Sequence, residues 1–122
     1  MVDIQKEIIN NVLVVTLGAE VNEEQITTDV ELDIDNNYIL TEAIEEELGK
    51  GQTKFLLNLK NVSYIDSSGL GAIFDGYKQV EEKNGVLKIL NPSSDVKRVL
   101  DITKISQRIK IFFNEKEAIE NF

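Results

Sequence analysis

The chain has no cysteine and no histidine among its 122 residues. Disulfide frameworks, thiolate nucleophiles, imidazole bases and the common Cys/His zinc sites are therefore excluded by inventory, and with them most mechanisms open to a small enzyme. The expectation is a protein that is not an enzyme and uses no cofactor and no metal. Proline occurs once, at Pro92, and no repeat, low-complexity tract or Pro/Gly/Ser-rich linker divides the sequence. One domain over residues 1–122 is expected, since a domain takes roughly 100 to 200 residues. Long apolar runs are missing too. Nothing approaches the ~18 apolar residues of a membrane span, and the opening "MVDIQKEIIN" lacks a basic region followed by an apolar one. These features predict a cytoplasmic protein with no membrane partner.

Positive charge is absent from a long early segment. From Glu7 to Gly49 there are twelve acids and no Lys or Arg, so that segment carries −12 against −9 for the whole chain and leaves +3 elsewhere. Affinity for phosphate backbones comes mainly from Lys and Arg displacing counterions, so an acidic surface disfavours nucleic acid and points to a protein partner. Hydrophobic residues at 42% and charged ones at 29% are ordinary for a folded globular unit, expected to be a monomer when free.

The runs "VDIQKEIIN" and "NVLVVTLGAEV" have strand-like length and β-branched content, and Asn10 and Asn11 between them predict a hairpin. In "TTDVELDIDNN", Asp29, Glu31, Asp33 and Asp35 alternate with Val30, Leu32 and Ile34, which predicts a short strand with three apolar residues on one face. A calcium-binding loop is excluded by position. Asp33, Asp35 and Asn37 fit its first three ligands, but Tyr38 stands where the turn glycine belongs and Ile44 where a bidentate glutamate is needed. Ile39, Leu40, Ala43, Ile44 and Leu48 recur at helical spacing over Tyr38 to Leu48, and Gly49 and Gly51 supply the stop. Glu45, Glu46 and Glu47 in that helix have no dyad spacing and read as a solvated face.

"TKFLLNL" and "GVLKIL" are nearly continuous in apolar character, as strands covered on both faces are. Between them Leu70, Ile73, Phe74, Tyr77 and Val80 mark the core-facing stripe of a helix of about four turns, and the order strand, helix, strand implies a right-handed parallel crossover. Asn91 is expected to cap the next helix, with Pro92 in its first position, Ser93 and Ser94 serving its start, and Val96, Val99 and Leu100 inside it. "RIKIFF" reads as a strand. Asn114 and Glu117 then form the capping box of a last helix carrying Ala118, Ile119 and Phe122. The fold class that follows is α/β, with a mixed, mostly parallel β-sheet flanked by about four helices and an N-terminal β-hairpin.

The stretch richest in chemistry is "YIDSSGLG", residues 64–71, at a strand-to-helix junction. Asp66, Ser67 and Ser68 sit at or beside a helix N-cap, where side-chain oxygens accept from unpaired N–H groups, and Gly69 and Gly71 would allow close packing of helix on sheet. Capping and packing account for these residues without any further role. Three site chemistries are excluded by pattern. A phosphate-cradling loop needs a Gly-Lys-Ser/Thr ending, a dinucleotide fingerprint needs glycine where Phe74 stands, and a nucleophile elbow needs glycine where Ile65 or Asp66 stands. A serine nucleophile would also need a base, and there is no imidazole. A helix N-terminus does favour an anion, by roughly 0.3 to 1 kcal/mol at a surface.

"NVSYIDSSGLGAIFDGYKQVEEKNGVLKIL", followed by "NPSSDVKRVLDITKI", resembles the STAS domain family, and within it the stand-alone bacterial anti-sigma factor antagonists. The likeness runs from about Val30 to the C-terminus. It implies a STAS-like mixed sheet flanked by helices, in agreement with the pattern above. It also implies two partners, a serine kinase of the histidine-kinase-like ATPase type that doubles as the anti-sigma factor, and a serine phosphatase. The unphosphorylated antagonist binds the kinase and frees the sigma factor. By the same resemblance the phosphorylated residue is Ser67, with Ser68 the lesser candidate, and Asp66, Ser67, Ser68, Gly69 and Leu70 belong to the partner surface. An acidic loop of the family is matched by "VELD", which makes Asp33 a further candidate, although Val30 replaces the usual glycine and "EVNEEQITTD" is inserted ahead of it. The rival expectation is a STAS scaffold that does not switch, or an accessory subunit of a signalling complex or lipid-transport system, keeping the motif for folding alone.

Overall fold

Asn10 and Asn11 both adopt left-handed backbone, with φ of 50° and 68°, as a two-residue hairpin turn requires if its twist is to match that of the strands. The computed structural model describes residues 4–18 and 30–122. In it this turn joins β1 (Ile4–Ile9) to β2 (Val12–Leu17) as an antiparallel pair closing with Ile9 opposite Val12. The expected hairpin is present. Residues 2–3 and 19–21 of its two runs, Asp29 and the insertion "EVNEEQITTD" lie outside the described residues.

Then follow β3 (Val30–Leu32), α1 (Asn37–Gly49), β4 (Lys54–Asn58), β5 (Val62–Ile65), α2 (Ser67–Glu82), β6 (Val86–Leu90), α3 (Ser94–Ile102), β7 (Ile111–Phe112) and α4 (Glu115–Glu120). The main sheet has the order β1-β2-β4-β6-β7, parallel except for the hairpin. β3 and β5 form a separate parallel pair. Sequence patterning alone runs β4 on into the junction. The chain instead turns at Leu59, whose carbonyl accepts from Val62 N–H at 3.0 Å, so that β5 leaves the main sheet and delivers the junction beside β3.

Period-two alternation divides the apolar residues between two faces. Leu13, Val15 and Leu17 of β2 join Phe55 and Leu57 of β4 in a core with Leu40, Ile44, Ile73, Val80 and Leu100 of the helices. Val12, Val14, Leu56 and Leu90 point the other way, against Ala118 and Ile119 of α4. Four of the strand residues predicted to be covered on both sides, Phe55, Leu56, Leu57 and Ile89, are at most 1% exposed.

Three local expectations are corrected. β3 ends at Leu32, and Ile34 is 72% exposed, because Asp33 folds the chain over: its Oδ1 accepts from Asp35 N–H at 3.0 Å and its carbonyl from Asn37 N–H at 2.9 Å. Asn91 does not cap α3. It is held left-handed at φ 53° while its N–H donates to Phe112 O at 2.8 Å, continuing the bonding between β6 and β7, and Ser93 caps the helix by accepting from Val96 N–H. The Glu45 to Glu47 run is not uniformly solvated. Glu47 is buried, and its Oε2 takes Lys6 Nζ of β1 at 3.0 Å and Lys50 Nζ at 3.3 Å.

The bond from Lys6 is the main cause holding the Glu47 carboxyl below its ordinary value of 4.5, against a burial effect that raises it. A depressed folded pKa stabilises fully above the unfolded value and ceases to do so as pH falls through the folded one. Glu47→Gln is therefore expected to lower stability at neutral pH by about 1.5 to 3 kcal/mol, the range for hydrogen bonds to charged groups. Urea denaturation repeated in acid should show that deficit shrinking, and a deficit independent of pH would contradict the assignment.

Candidate functional site

The junction between β5 and α2 is built around one carboxylate. Asp66 stands at the N-cap in extended backbone, and its Oδ1 accepts from Gly69 N–H at 2.9 Å. Its Oδ2 accepts from Ile34 N–H at 3.3 Å, across the loop that follows β3, and its own N–H donates to Leu32 O at 3.2 Å. A single side chain thus satisfies a donor of the first helical turn and pins a second loop against it. Asp33, in that loop, directs its carboxylate to Asp35 N–H and its own N–H to Asn36 Oδ1 at 2.9 Å. It shapes the loop beside the helix start, and among the described residues its carboxylate makes no hydrogen bond to the junction.

The two glycines differ. A Cβ at Gly69 would lie 2.3 Å from Leu32 O and 2.9 Å from Ile65 Cγ1, so the helix can approach β3 only because that carbon is absent. At Gly71 nothing lies within 4 Å. The packing role expected of both therefore belongs to Gly69 alone.

Ser67, the first residue of α2, is exposed, and Ser68 is half-buried. Ser67 lies on the wall of an open cavity of about 380 Å³ that continues along α2 through Leu70, Gly71 and Phe74. The facing wall comes from the turn after α3 and includes Lys104, Ile105 and Arg108. Leu70 is half-buried and packs against the core, so it serves both core and cavity, while Ile73 and Val80 are sealed inside. Phe74 and Tyr77, also half-buried, stack with ring centroids 5.9 Å apart, and Lys78 Nζ stands 5.5 Å from the Phe74 ring. Lys104 and Arg108 carried no signal in the sequence. They meet Ser67 only because the chain reverses after α3, with Lys104 at φ 66°.

Residues 3–118 match the family model for the STAS domain. The chain belongs to the STAS domain family. This STAS domain is 37% identical over 91 residues to a protein of Thermotoga neapolitana described as an anti-sigma factor antagonist, covering 74% of this chain and 80% of that one. It is 31% identical over 99 residues to the anti-sigma-B factor antagonist of Bacillus subtilis, covering 81% of this chain and 90% of that one. Among solved structures, a crystal structure from Thermotoga maritima described as an anti-sigma factor antagonist superposes with a TM-score of 0.79 at 29% identity, over 97% of this chain and 92% of the other. The mixed, mostly parallel sheet with its antiparallel hairpin and four helices is the STAS fold expected from the motif.

Opposite outcomes are expected for the two glycines. Gly69→Ala drives a methyl into the Leu32 carbonyl and should destabilise by about 1 to 3 kcal/mol, the usual cost of overpacking. Gly71→Ala adds its methyl to open space within a helix and should stabilise by up to about 1 kcal/mol, the helix-propensity difference. Thermal melts of both variants measure this, and equal effects would mean that the approach of α2 to β3 does not depend on Gly69.

Proposed function

We propose that this STAS domain is an anti-sigma factor antagonist that binds a cognate anti-sigma serine kinase when unmodified and is released by phosphorylation of Ser67, so that sigma-factor-dependent transcription is regulated. The exposure of Ser67 on the first turn of α2 is the observation that carries the reading, because an acceptor hydroxyl must be reachable by an enzyme. The names of the relatives support the antagonist role. A phosphatase returns the protein to its binding form.

In the modification, Ser67 Oγ forms a bond to the γ-phosphorus of ATP, the bond from that phosphorus to the bridging oxygen of ADP breaks, and the hydroxyl proton leaves to a base of the kinase. The added group carries about −1.5 to −2 charge at pH 7. It sits where amide dipoles converge, which favours an anion, so the helix stands. Recognition changes instead. Asp66, Ser68, Gly69, Leu70 and the loop carrying Asp33 surround the acceptor and form the partner surface of this reading. A hydroxyl is readily desolvated at such an interface and a dianion is not. A loss of ~3 kcal/mol lowers affinity more than a hundredfold at about 1.4 kcal/mol per decade.

A second reading has a specific observation in its favour. Asp66 and Gly69 have complete structural roles, so a scaffold that never switches would also keep the motif. Incubation with ATP and a cognate anti-sigma serine kinase separates the two, since stoichiometric phosphate on Ser67 is expected of the switch and none of the scaffold. Calorimetric titration of that kinase should show Ser67→Ala binding like the unmodified protein and Ser67→Asp losing at least tenfold. Equal binding by the two variants would overturn the switch.

A further inference from the structure

We propose that Lys104 and Arg108 form an intramolecular clamp for phosphorylated Ser67, so that the phosphoryl group is held by its own chain across the mouth of the cavity and closes it. The inference rests on Ser67 being the acceptor and adds how the modified residue is read. Ser67 and the two cations line one cavity of about 380 Å³, whose remaining walls include the apolar Leu70, Phe74 and Ile105. The serine thus shares one cavity with a guanidinium and an ammonium. Arg presents its donors in a planar fork that matches phosphate oxygens, and Lys adds a point charge.

Three observations favour this occupant. In a chain of net charge −9, neither Lys104 nor Arg108 has an ion-pair partner among the described residues, a state they share with Lys83, Arg98 and Lys110 but, unlike those, on the wall that also holds Ser67. Lys104 is also held at φ 66° and ψ 14° in the left-handed position that ends α3, where glycine or asparagine would sit with less strain, so the backbone does not select lysine there. Finally, Gly71 leaves its share of the wall open, with nothing within 4 Å of its missing Cβ.

The carboxylates nearby are largely engaged elsewhere. Asp66 accepts from Gly69 and Ile34, and Asp101 from Lys97 at 2.8 Å. Glu81, which shares a neighbouring cavity with Tyr77 and Arg108, is the acid placed to compete for the guanidinium. Lys78, over the Phe74 ring, adds a third cation on the α2 side. Closing the cavity removes from a partner both its apolar walls and its two free cations. Phosphorylation on this account withdraws an attractive surface as well as adding a repulsive charge.

The clamp is tested on the full chain carrying phosphoserine at position 67, installed during translation, with no kinase or partner present. A phosphorus NMR titration reads the second pKa of that phosphate, ordinarily about 6. Facing cations favour the dianion, so the wild-type value should lie at least about half a unit below that of the Arg108→Gln variant, roughly a threefold change in the proton equilibrium. Lys104→Gly should raise the pKa likewise while increasing thermal stability, because it relieves the left-handed backbone. That combination separates a lost clamp from a damaged fold. The helix terminus and Asp66 act equally in all three proteins, so the difference isolates the two cations. Indistinguishable pKa values in the wild type and both variants would overturn the clamp, even if Ser67→Asp loses the kinase. A clear shift would sustain it, even if the kinase proves indifferent to phosphorylation.

Discussion

Everything at the junction depends on the Asp66 carboxylate bonding in two directions at once. One oxygen caps α2 through Gly69 N–H and the other holds Ile34 N–H of the loop after β3. The Leu32 carbonyl closes the arrangement by accepting from Asp66 N–H while lying where a Cβ on residue 69 would stand. Each contact requires the others. If the helix stood further from β3, the carboxylate would not span both donors, and any side chain at position 69 would impose that distance. Two short strands of a detached sheet are in this way locked to the start of a helix belonging to the main core, and Ser67 is carried on a fixed platform.

Local chemistry was the legible part of the sequence. Asn10 and Asn11 tolerate the left-handed backbone of a tight hairpin, Asp66 and Asn114 accept from donors three residues ahead, and helical spacing marked the faces of α1 and α2. Such signals depend on neighbours within a turn or two. What escaped needs contacts between distant segments. Glu47 was indistinguishable from Glu45 and Glu46 until Lys6, 41 residues away, reached it. Gly69 and Gly71 look alike in sequence, and only the approach of Leu32 sets them apart. Ile34 continues an alternating pattern, yet the turn at Asp33 turns it out into solvent. Lys104 and Arg108 follow the same logic, since no spacing in the chain relates them to Ser67.

The uneven charge also acquires a meaning in three dimensions. The acidic segment includes α1 and the loop after β3, which bonds Asp66, and the surplus of cations lies in the later part of the chain, which supplies Lys104 and Arg108 to the cavity beside Ser67. Net charge pointed away from nucleic acid and toward a protein partner. The arrangement says more on the proposed reading, because a dianion on Ser67 would share a cavity with Lys104 and Arg108 while its neighbour Asp66 bonds the acidic loop after β3. At ionic strengths near those of cells the Debye length is roughly 8 Å, so charges lining the same small cavity are screened less than those across the rest of the acidic surface.

A switch of this kind must alter recognition without unfolding its carrier, and the division of labour between adjacent residues makes that possible. Asp66 and Gly69 hold the platform, whereas Ser67 lies between them with its side chain outside the capping bonds. Its side chain makes no hydrogen bond among the described residues that a modification would remove, and the helix terminus would receive a charge of the sign it favours. Had the acceptor been the capping residue itself, phosphorylation would have released Gly69 and Ile34 together and loosened the loop it was meant to display. If Ser67 is the acceptor proposed above, placement one residue inside the cap is the position at which a covalent charge could be added and removed while the surface around it keeps its shape.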